Sequence, residues 1–328
     1  MTSNPSRLLV IIPALNEEPT IADVIARIPQ QITGVSVVDV LVVDDGSTDN
    51  TVASARNAGA DVISHLHNRG VGATMQTGLR EAMRRGCDFV VNIDGDGQFD
   101  PKDIAAILQP VLDDKADFAT ASRFKNPEQV PEMPWVKILG NRWMSRIVST
   151  IIGQDFSDVS CGFRAYSREA ILKITLSGSY TYTQETFLLL YFHSLRIAEV
   201  PAKVRGVREH GKSRVASNLF KYAFHTLGIL FSSVRDYRPA WIFNSVSFTL
   251  AFLGMCSALF FMAHWLVTGA FSPHIWSGFT AAFLIGLSFL LFLFGQIATL
   301  LGRIRLLQEE QVYYLRKRYG ADPDTNNS

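Results

Sequence analysis

The first 238 residues alternate short apolar runs with longer amphipathic stretches. The run at residues 8–12 has the length of a buried strand, and Ile21, Val24, Ile25 and Ile28 then recur at helical spacing. Strands that alternate with helices favour a largely parallel sheet with helices on both faces. The pattern therefore predicts an α/β fold. The predicted strands comprise residues 8–12, 37–43, 61–64 and 89–93.

A second pattern begins after Arg238, where Lys, Arg, Asp and Glu disappear until Arg303. A membrane-spanning helix needs about 20 predominantly apolar residues. Residues 241–267 and 276–301 each meet that requirement, and a short turn with Gly and Pro separates them. The alternative is a buried helical hairpin in a soluble core, which is disfavoured because both runs exceed the usual length of core helices. We expect two membrane spans.

Residues at the ends of the two apolar runs indicate their orientation. Trp241, Trp265 and Trp276 lie near the predicted ends, where tryptophan favours the lipid interface. The connecting turn has no Lys or Arg, whereas arginines flank both outer ends. Basic residues accumulate on the cytosolic side of a membrane. We therefore expect a multi-pass protein of the cell (inner) membrane with its α/β part and both termini in the cytosol.

These patterns divide the chain into four predicted parts. The stretch from residue 202 to 238 is rich in Lys and Arg, has only two acids and carries apolar positions for an interfacial helix that brings a lipid phosphate nearby. Simple positive-inside anchoring accounts for part of this excess. The parts are a cytosolic α/β domain (1–212), basic juxtamembrane interfacial helices (213–238), two transmembrane helices (239–302) and a cytosolic tail (303–328).

Overall composition narrows the function. The chain has 31 Lys and Arg against 30 Asp and Glu, a net charge of +1, which excludes the strong basicity of a nucleic-acid coat protein. Cys87, Cys161 and Cys256 are far apart and give neither a disulfide framework nor a zinc-ligand spacing. We expect a reducing compartment and no nucleic-acid partner.

Polar clusters follow three of the predicted strands, and the cluster after residues 89–93 carries the most chemistry. In such sheets ligands bind beyond the carboxyl ends of the strands. Asp94 and Asp96 can hold a hard divalent cation together with phosphate oxygens, and Gly95 and Gly97 leave the backbone open to a ligand. A solvated acidic turn is the alternative, but another strand also ends in carboxylates. A nucleotide-diphosphate sugar is the substrate type that most needs such a metal, because the ion neutralises the departing diphosphate.

The order of these motifs resembles that of family 2 inverting glycosyltransferases, and within them the polyprenyl-phosphate sugar synthases. The resemblance covers residues 7–235 and implies a nucleotide-diphospho-sugar transferase domain of the GT-A type, with a tail similar to that of bacterial two-span members. The motifs are PALNE at 13–17, VVDDGSTD at 42–49, NRGVG at 68–72, DGDGQ at 94–98, Ser122-Arg123, DVSCGFR at 158–164 and Val200-Pro201.

The resemblance also implies roles for individual residues. Asp94, Asp96 and Gln98 match the residues that bind Mg²⁺ or Mn²⁺, and Arg123 matches an arginine near the donor and acceptor phosphates. The residues that match nucleotide-sugar-binding positions are Pro13, Leu15, Glu17, Val43, Asp45, Asp94, Gly95, Asp96, Gln98 and Arg123. The residues that match a phosphate clamp for the acceptor are Arg208, Ser213 and Arg214.

Two positions depart from the family pattern. Leu15 stands where the mannose synthases usually have an aromatic residue, which removes a stacking surface and leaves the base open. Arg214 stands where the clamp usually has a lysine, which keeps the charge but changes a point donor into a fork. Asp158 is either a base or acceptor-orienting carboxylate, or a partner of Arg164, and the sequence does not decide between these. Glu185 is a weaker acidic candidate.

Residues 206–213 also match the P-loop pattern G-x-x-x-x-G-K-[ST]. A P-loop ATPase needs later strands, including one with a magnesium-organising Asp, and only a helical stretch and the apolar runs follow here. We therefore interpret these residues as the phosphate clamp.

Taken together, the sequence predicts a membrane-anchored enzyme that moves one sugar from a nucleotide-diphosphate sugar to a polyprenyl phosphate, with inversion at the anomeric carbon. The enzymatic alternative is a processive polysaccharide synthase, whose usual Gln-x-x-Arg-Trp motif this chain lacks. The other alternative is a catalytically inactive membrane scaffold with a nucleotide-binding fold. The sequence leaves open whether the chain forms a homo-oligomer.

Overall fold

The computed structural model describes residues 6–126, 130, 133, 135–174, 183–204, 228 and 239–319. The chain forms two compact units, one of residues 1–230 with 312–328 and one of residues 231–311. The division expected from the sequence, with boundaries at 212, 238 and 302, remains a prediction. Its C-terminal part, 303–328, is shared between the two units.

Strands and helices alternate through the first unit. The strands are β1 (Arg7–Ala14), β2 (Val37–Asp44), β3 (Asp61–Ser64), β4 (Phe89–Asn92), β5 (Phe118–Ser122), β6 (Arg164–Ser167) and β7 (Ile197–Pro201). The helices are α1 (Glu18–Ala26), α2 (Thr51–Asn57), α3 (Val71–Arg84), α4 (Ile104–Leu112), α5 (Trp135–Ile152), α6 (Arg168–Lys173) and α7 (Thr183–Phe192), with a short 3₁₀ turn at Pro101–Asp103.

The seven strands form one sheet in the order β3-β2-β1-β4-β6-β5-β7. β1, β2, β3 and β4 run parallel, and β5 runs parallel to β7. β6 is antiparallel to both of its neighbours. The predicted α/β fold with a mainly parallel sheet is confirmed, and all four predicted strands are present. The antiparallel β6 is the feature that the alternation of strands and helices did not indicate.

The central strands of this sheet are buried on both faces. Every residue from Leu8 to Ile12 is fully buried, as are Leu41, Val42 and Val43 of β2. Strands buried on both faces need continuous apolar runs, because no position faces water. This is why the strands were visible in the sequence as short apolar blocks rather than as alternating patterns.

The strand directions bring the chemically interesting loops to one edge of the sheet. Pro13 pairs with Val43, and Ile11 pairs with Asn92, so β1, β2 and β4 all end at that edge. Because β6 is antiparallel and Arg164 lies opposite Asn92, the loop that precedes β6 reaches the same edge. The loops after β1, β2, β4 and β5 and the loop before β6 therefore meet there.

The second unit contains two long apolar helices, α8 (Pro239–Thr268) and the first part of α9 (Ile275–Tyr319). Both are long and apolar enough to cross a membrane, with mean hydropathies of 2.0 and 2.2 in their most apolar windows. Ser247 of α8 donates a 2.9 Å hydrogen bond to the carbonyl oxygen of Ser288. The two helices fit the predicted hairpin. α9 continues past the predicted end of the apolar run at Leu301 into charged sequence.

The end of α9 belongs to the first unit and contacts α6. Tyr313 donates a 2.9 Å hydrogen bond from its hydroxyl to Glu169. Arg316 donates from Nη1 to the carbonyl oxygens of Leu172 and Ile174, at 2.9 and 3.1 Å. These carbonyls lie at the C-terminus of α6, where a cation is favourable because it complements the helix dipole. Burial holds the pKa of Arg316 below its usual range, with a smaller contribution from Arg80.

Candidate active site

The acidic loop that follows β4 lies against the start of α1. Thr20 donates a 2.7 Å hydrogen bond to the carbonyl oxygen of Gly95, and the amide of Gln98 donates to Asp96 Oδ1 at 3.0 Å. Asp96 is 4% exposed. Gly97 has φ +71°, a conformation that non-glycine residues rarely adopt. The loop therefore has a defined backbone that places Asp94 and Asp96 at the carboxyl edge of the sheet.

Gly162, in the loop before β6, faces the carboxylate of Asp94. A Cβ atom at position 162 would lie 3.0 Å from Asp94 Oδ2 and 3.2 Å from Oδ1. The side-chain amide of Asn92 donates to the carbonyl oxygen of Gly162, which holds this loop beside β4. Because Gly162 has no side chain, the Asp94 carboxylate has room to lie in this position. No pattern in the sequence singles out Gly162, although it lies within the DVSCGFR motif at 158–164.

The donors at this loop fit a hard divalent cation. Asp94 and Asp96 supply carboxylate oxygens, and the side-chain amide of Gln98 supplies another oxygen type that Mg²⁺ and Mn²⁺ accept. Within the part of the chain that the structure describes, no group of three or more His, Cys, Asp or Glu residues could hold a metal ion. A cation bound by two carboxylates keeps open positions, which suits an ion that also binds the oxygens of a diphosphate.

The loops after β1 and β2 are joined by hydrogen bonds. The backbone amide of Asn16 donates to Ser47 Oγ, and that of Glu17 donates to Thr51 Oγ1, both at 2.9 Å. Asn16 Oδ1 accepts from the amide of Thr48 at 2.8 Å. These cross-links fix two of the segments that the resemblance assigns to nucleotide binding with respect to each other.

Asp49 extends the same network. Its carboxylate accepts hydrogen bonds from the hydroxyl and the amide of Thr51, at 2.5 and 3.1 Å, and from the amide of Glu18 at 3.3 Å. Burial alone raises the pKa of this carboxyl, but the hydrogen bonds outweigh burial and hold the pKa of Asp49 below its usual range. Asp49 is therefore ionised at neutral pH and stabilises the two loops.

The predicted nucleotide-binding residues at this edge differ in what they can offer a ligand. Val43 is fully buried, whereas Pro13, Leu15 and Glu17 are half-buried and so have surface that a ligand can reach. Pro13 and Val43 are paired across β1 and β2. The structure thus brings Pro13 and Val43 together at the edge and leaves part of Leu15 and Glu17 exposed beside them.

Asp45 is buried and organises the neighbouring loop. Its carboxylate accepts from the amides of Arg69 and Gly70, at 2.9 and 2.8 Å, and contacts His65 Nδ1 at 2.8 Å. His65 Nε2 lies 2.9 Å from the hydroxyl of Thr77 on α3. Asp45 therefore ties β2 to the start of α3, and a role in nucleotide binding remains a prediction.

Arg123, just after β5, forms a two-point ion pair with Asp158 from the loop before β6. Nε donates to Asp158 Oδ2 at 2.6 Å and Nη2 donates to Oδ1 at 3.0 Å. Nη2 also donates to Ser160 Oγ at 2.7 Å. The Asp158 side chain is fully buried, and 21% of the Arg123 side chain is exposed. The sequence left Asp158 either as a base or acceptor-orienting carboxylate, or as a partner of Arg164. In the structure Asp158 is an ion-pair partner, but its partner is Arg123 and not Arg164.

Glu199 of β7 holds the Asp158 loop in position through hydrogen bonds to its backbone. Its carboxylate accepts from the amide of Ser157 at 3.0 Å and from the amide of Asp158 at 2.8 Å. From α5, Asn141 and Ser145 both donate to the carbonyl oxygen of Ser157 at 3.2 Å. Sequence reasoning missed these residues because isolated polar residues carry no pattern that links them to a distant loop. Asn141 and Ser145 are 16 and 12 positions from Ser157, and Glu199 is 41 positions from Asp158.

Arg164 and Cys161 have structural roles. The fully buried guanidinium of Arg164 donates to the carbonyl oxygens of Cys161 and Thr183, at 2.8 and 3.0 Å. Burial raises the pKa of the Cys161 thiol to about 12, so this thiol is neutral and is not a nucleophile near neutral pH. Glu185 is buried on α7. The predicted clamp residues Arg208, Ser213 and Arg214 lie outside the described residues.

The family model for glycosyl transferase family 2 matches residues 9–175, which extend from within β1 to beyond β6 and include the loops described above. The chain belongs to this family. The recognition made from the motifs is thereby confirmed, and the protein is a glycosyltransferase.

Curated relatives extend the similarity. The UDP-N-acetylglucosamine--dolichyl-phosphate N-acetylglucosaminyltransferase of Methanococcus voltae is 32% identical over 216 residues, which cover 60% of this chain and 84% of that protein. The polyprenol monophosphomannose synthase of Mycolicibacterium smegmatis is 30% identical over 235 residues, which cover 66% of this chain and 86% of that protein.

Solved structures establish the fold. Glucosyl-3-phosphoglycerate synthase from Mycobacterium tuberculosis, crystallised with Mn²⁺, UDP-glucose and phosphoglyceric acid, matches with a TM-score of 0.56 and 24% identity. The match covers 70% of this chain and 80% of that one. At this identity the likeness concerns the fold alone, and it confirms the predicted GT-A architecture.

Proposed function

We propose that the glycosyltransferase transfers a single sugar from a nucleotide-diphosphate sugar to a polyprenyl phosphate at the cytosolic face of a membrane, with inversion at the anomeric carbon. The observation that carries the proposal is the meeting of the Asp94–Asp96 loop and the Arg123–Asp158 pair at one edge of the sheet. The relatives named as transferases or synthases for dolichyl phosphate and polyprenol support the acceptor class.

Asp94, Asp96 and Gln98 would hold Mg²⁺ or Mn²⁺. Once bound, the cation would neutralise charge that develops on the leaving diphosphate. The protein's own contribution is to hold the donor in position, which Gly162 supports by leaving room for the Asp94 carboxylate. The loops after β1 and β2, fixed by Asn16 and Glu17, would seat the nucleotide.

The proposed role of Arg123, whose side chain is 21% exposed, is to bind a phosphate of the donor or the acceptor through its guanidinium. Asp158 orients the guanidinium through two contacts and gives it one defined direction. A polyprenyl phosphate is already anionic near neutral pH, so its attack does not require a strong general base. We therefore assign Asp158 to orientation of Arg123 rather than to proton removal.

The test is a donor and acceptor panel with the full chain in nanodiscs. Radiolabelled UDP- and GDP-sugars are combined with undecaprenyl or dolichyl phosphate, and label is measured in the organic phase. We expect one donor to label the lipid, EDTA to stop the reaction and Mn²⁺ or Mg²⁺ to restore it. Asp96→Asn is the inactive control. Full activity in chelator would reject the metal, and absence of lipid label with every donor would reject the acceptor class.

A further inference from the structure

Helix α5 buries one face that mixes apolar and polar side chains and exposes another face that carries large apolar side chains. The buried residues of α5 recur every three to four positions, so the buried and exposed residues lie on separate faces of the helix. Asn141 and Ser145 on the inward face bind the Asp158 loop, as described above. The buried residues are Asn141, Met144, Ser145, Val148 and Ile152. The outward face is therefore the unusual one, because surface helices of soluble domains normally turn their polar residues outward.

The outward face carries large apolar side chains. Trp135 is 73% exposed, Leu139 is 58% exposed and Trp143 is 51% exposed, and the three are spaced four residues apart. Val136 is 40% exposed beside them. Contiguous exposed apolar groups of this kind mark a surface that contacts a protein or a membrane. We call the surface of Trp135, Val136, Leu139, Arg142, Trp143, Arg146 and Thr150 the tryptophan face.

Charge on α5 discriminates between those two kinds of partner. Arg142 and Arg146 are exposed on the tryptophan face, and Lys137 is the third basic residue of the helix, which contains no Asp or Glu. Trp143 and Arg146 also line a shallow groove with neighbouring residues of the same helix. Tryptophan together with arginine, with no acid present, complements the headgroup region of an anionic bilayer.

The same chain also carries the segments that would anchor it in a bilayer. α8 and α9 are long and apolar enough to span a membrane, so an inserted hairpin attaches the first unit covalently to a membrane. A covalent tether raises the effective concentration of a surface for a second contact, so a short helix face of modest area is sufficient. A second copy of the chain would instead bring Arg142 and Arg146 of two helices near each other, which is unfavourable without acids to compensate them.

We propose that α5 is a membrane-contacting helix that inserts its tryptophan face into the headgroup region of an anionic bilayer. The proposal rests on the proposed function only in requiring a membrane-anchored chain. The same helix binds the carbonyl of Ser157, and Ser160 donates a 2.6 Å hydrogen bond to Asn141. One face of α5 thus contacts lipid, and the opposite face is connected to the Arg123–Asp158 pair. The acceptor phosphate would bind at that pair.

The depth of α5 can be measured on the full chain without any sugar transfer. Cys87 and Cys161 are buried and Cys256 is exposed, so Cys256→Ser gives a background for specific labelling. A nitroxide is attached at Thr150→Cys on the tryptophan face, and at Ala53→Cys on the exposed side of α2 as the matched control. Collision rates with oxygen and with a nickel chelate are compared in nanodiscs of phosphatidylcholine with and without phosphatidylglycerol.

We expect the oxygen-to-nickel ratio at Thr150→Cys to be several-fold higher than at Ala53→Cys in the anionic nanodiscs, and to fall with Arg142→Gln and Arg146→Gln. A label at Gly140→Cys, a position with open space around its Cα, repeats the measurement should the first variant misfold. A ratio equal to that of the control in both lipids overturns the proposal. So does spin–spin broadening at Thr150→Cys with low access to both reagents, which indicates a second copy on this face.

A kinetic arm connects the contact to the acceptor. Trp143→Ser with Arg146→Gln should raise the KM for polyprenyl phosphate in anionic vesicles about 10-fold, because each lost basic or interfacial contact weakens membrane binding several-fold. The KM for the nucleotide sugar should not change, and a short water-soluble polyprenyl phosphate should be used equally well by both proteins. An unchanged KM in vesicles contradicts the proposal. If the full chain transfers no sugar at all, the spin-label result still decides it.

Discussion

The single hydrogen atom that Gly162 carries in place of a side chain decides where the Asp94 carboxylate can lie. Any Cβ at this position would stand 3.0 Å from Asp94 Oδ2, a distance that real Cβ contacts rarely show. Asn92 holds the same loop through the carbonyl oxygen of Gly162, so the loop cannot retreat without losing that hydrogen bond. A methyl group must therefore displace the carboxylate.

We expect Gly162→Ala to weaken binding of Mn²⁺ to the full chain by about 10-fold or more, as changes that misorient a metal ligand commonly do. The measurement is a Mn²⁺ titration followed by EPR, which needs no turnover. Gly140→Ala is the matched control, because that glycine is helical and has open space around it. Equal Mn²⁺ affinities for the wild type and Gly162→Ala would contradict the position assigned to the metal.

For Asp158, proximity along the chain does not predict the ion-pair partner. Arg164 is six positions away along the chain, whereas the actual partner, Arg123, is 35 positions away. The antiparallel insertion of β6 brings the two loops together, and nothing in the local pattern indicated that insertion. Orientation of Arg123 and proton removal from the acceptor give different dependences of the rate on pH.

Asp158→Asn keeps the size of the side chain but weakens the hold on Arg123. If Asp158 orients Arg123, kcat should fall roughly 10- to 100-fold at every pH, since charge-assisted contacts contribute about 1.5–3 kcal/mol each. The pH–rate profile should keep its shape, and Glu199→Gln should give a smaller loss of the same kind. Loss of the acidic limb of the profile in Asp158→Asn would instead assign the role of a base.

At the scale of elements, the sequence predicted the strands and helices that a local pattern of apolar residues indicates. The four strands of the first half were visible because each is a short apolar block, and α8 and the apolar part of α9 were visible because nothing charged interrupts them. Pairing that depends on distant residues was not visible, as the antiparallel β6 and the contacts of Glu199 show. The acidic loop was found because its carboxylates directly follow β4.

The last turns of α9 lie on the C-terminus of α6 through Arg316, which the apolar pattern did not indicate. Arg316→Ala removes two hydrogen bonds to backbone carbonyls of Leu172 and Ile174, so α6 should lose about 1.5–3 kcal/mol of local stability. Hydrogen exchange of the amides in α6 measures this loss directly. Arg318→Ala, an exposed arginine of the same turn, should leave the exchange unchanged. Equal exchange in the two variants would show that the contact is not stabilising.

At the scale of the whole molecule, the orientation in the membrane remains a prediction. It rests on the flanking arginines 235, 238, 303 and 305 and on the absence of Lys and Arg from the turn between α8 and α9. A reporter fused after Ser328 should be active only on the cytosolic side. A reporter that is active on the opposite side would reject the predicted topology and, with it, the cytosolic site of transfer.

The proposed reaction transfers one sugar to a polyprenyl phosphate. Its most direct measurement is mass spectrometry and NMR of the lipid product formed by the full chain from its preferred donor in Mn²⁺. The GT-A site with Asp94, Asp96 and the Arg123–Asp158 pair predicts a polyprenyl phosphate that carries a single sugar of inverted anomeric configuration. A lipid that carries several sugars, a product of retained configuration, or free sugar without any glycolipid would contradict it.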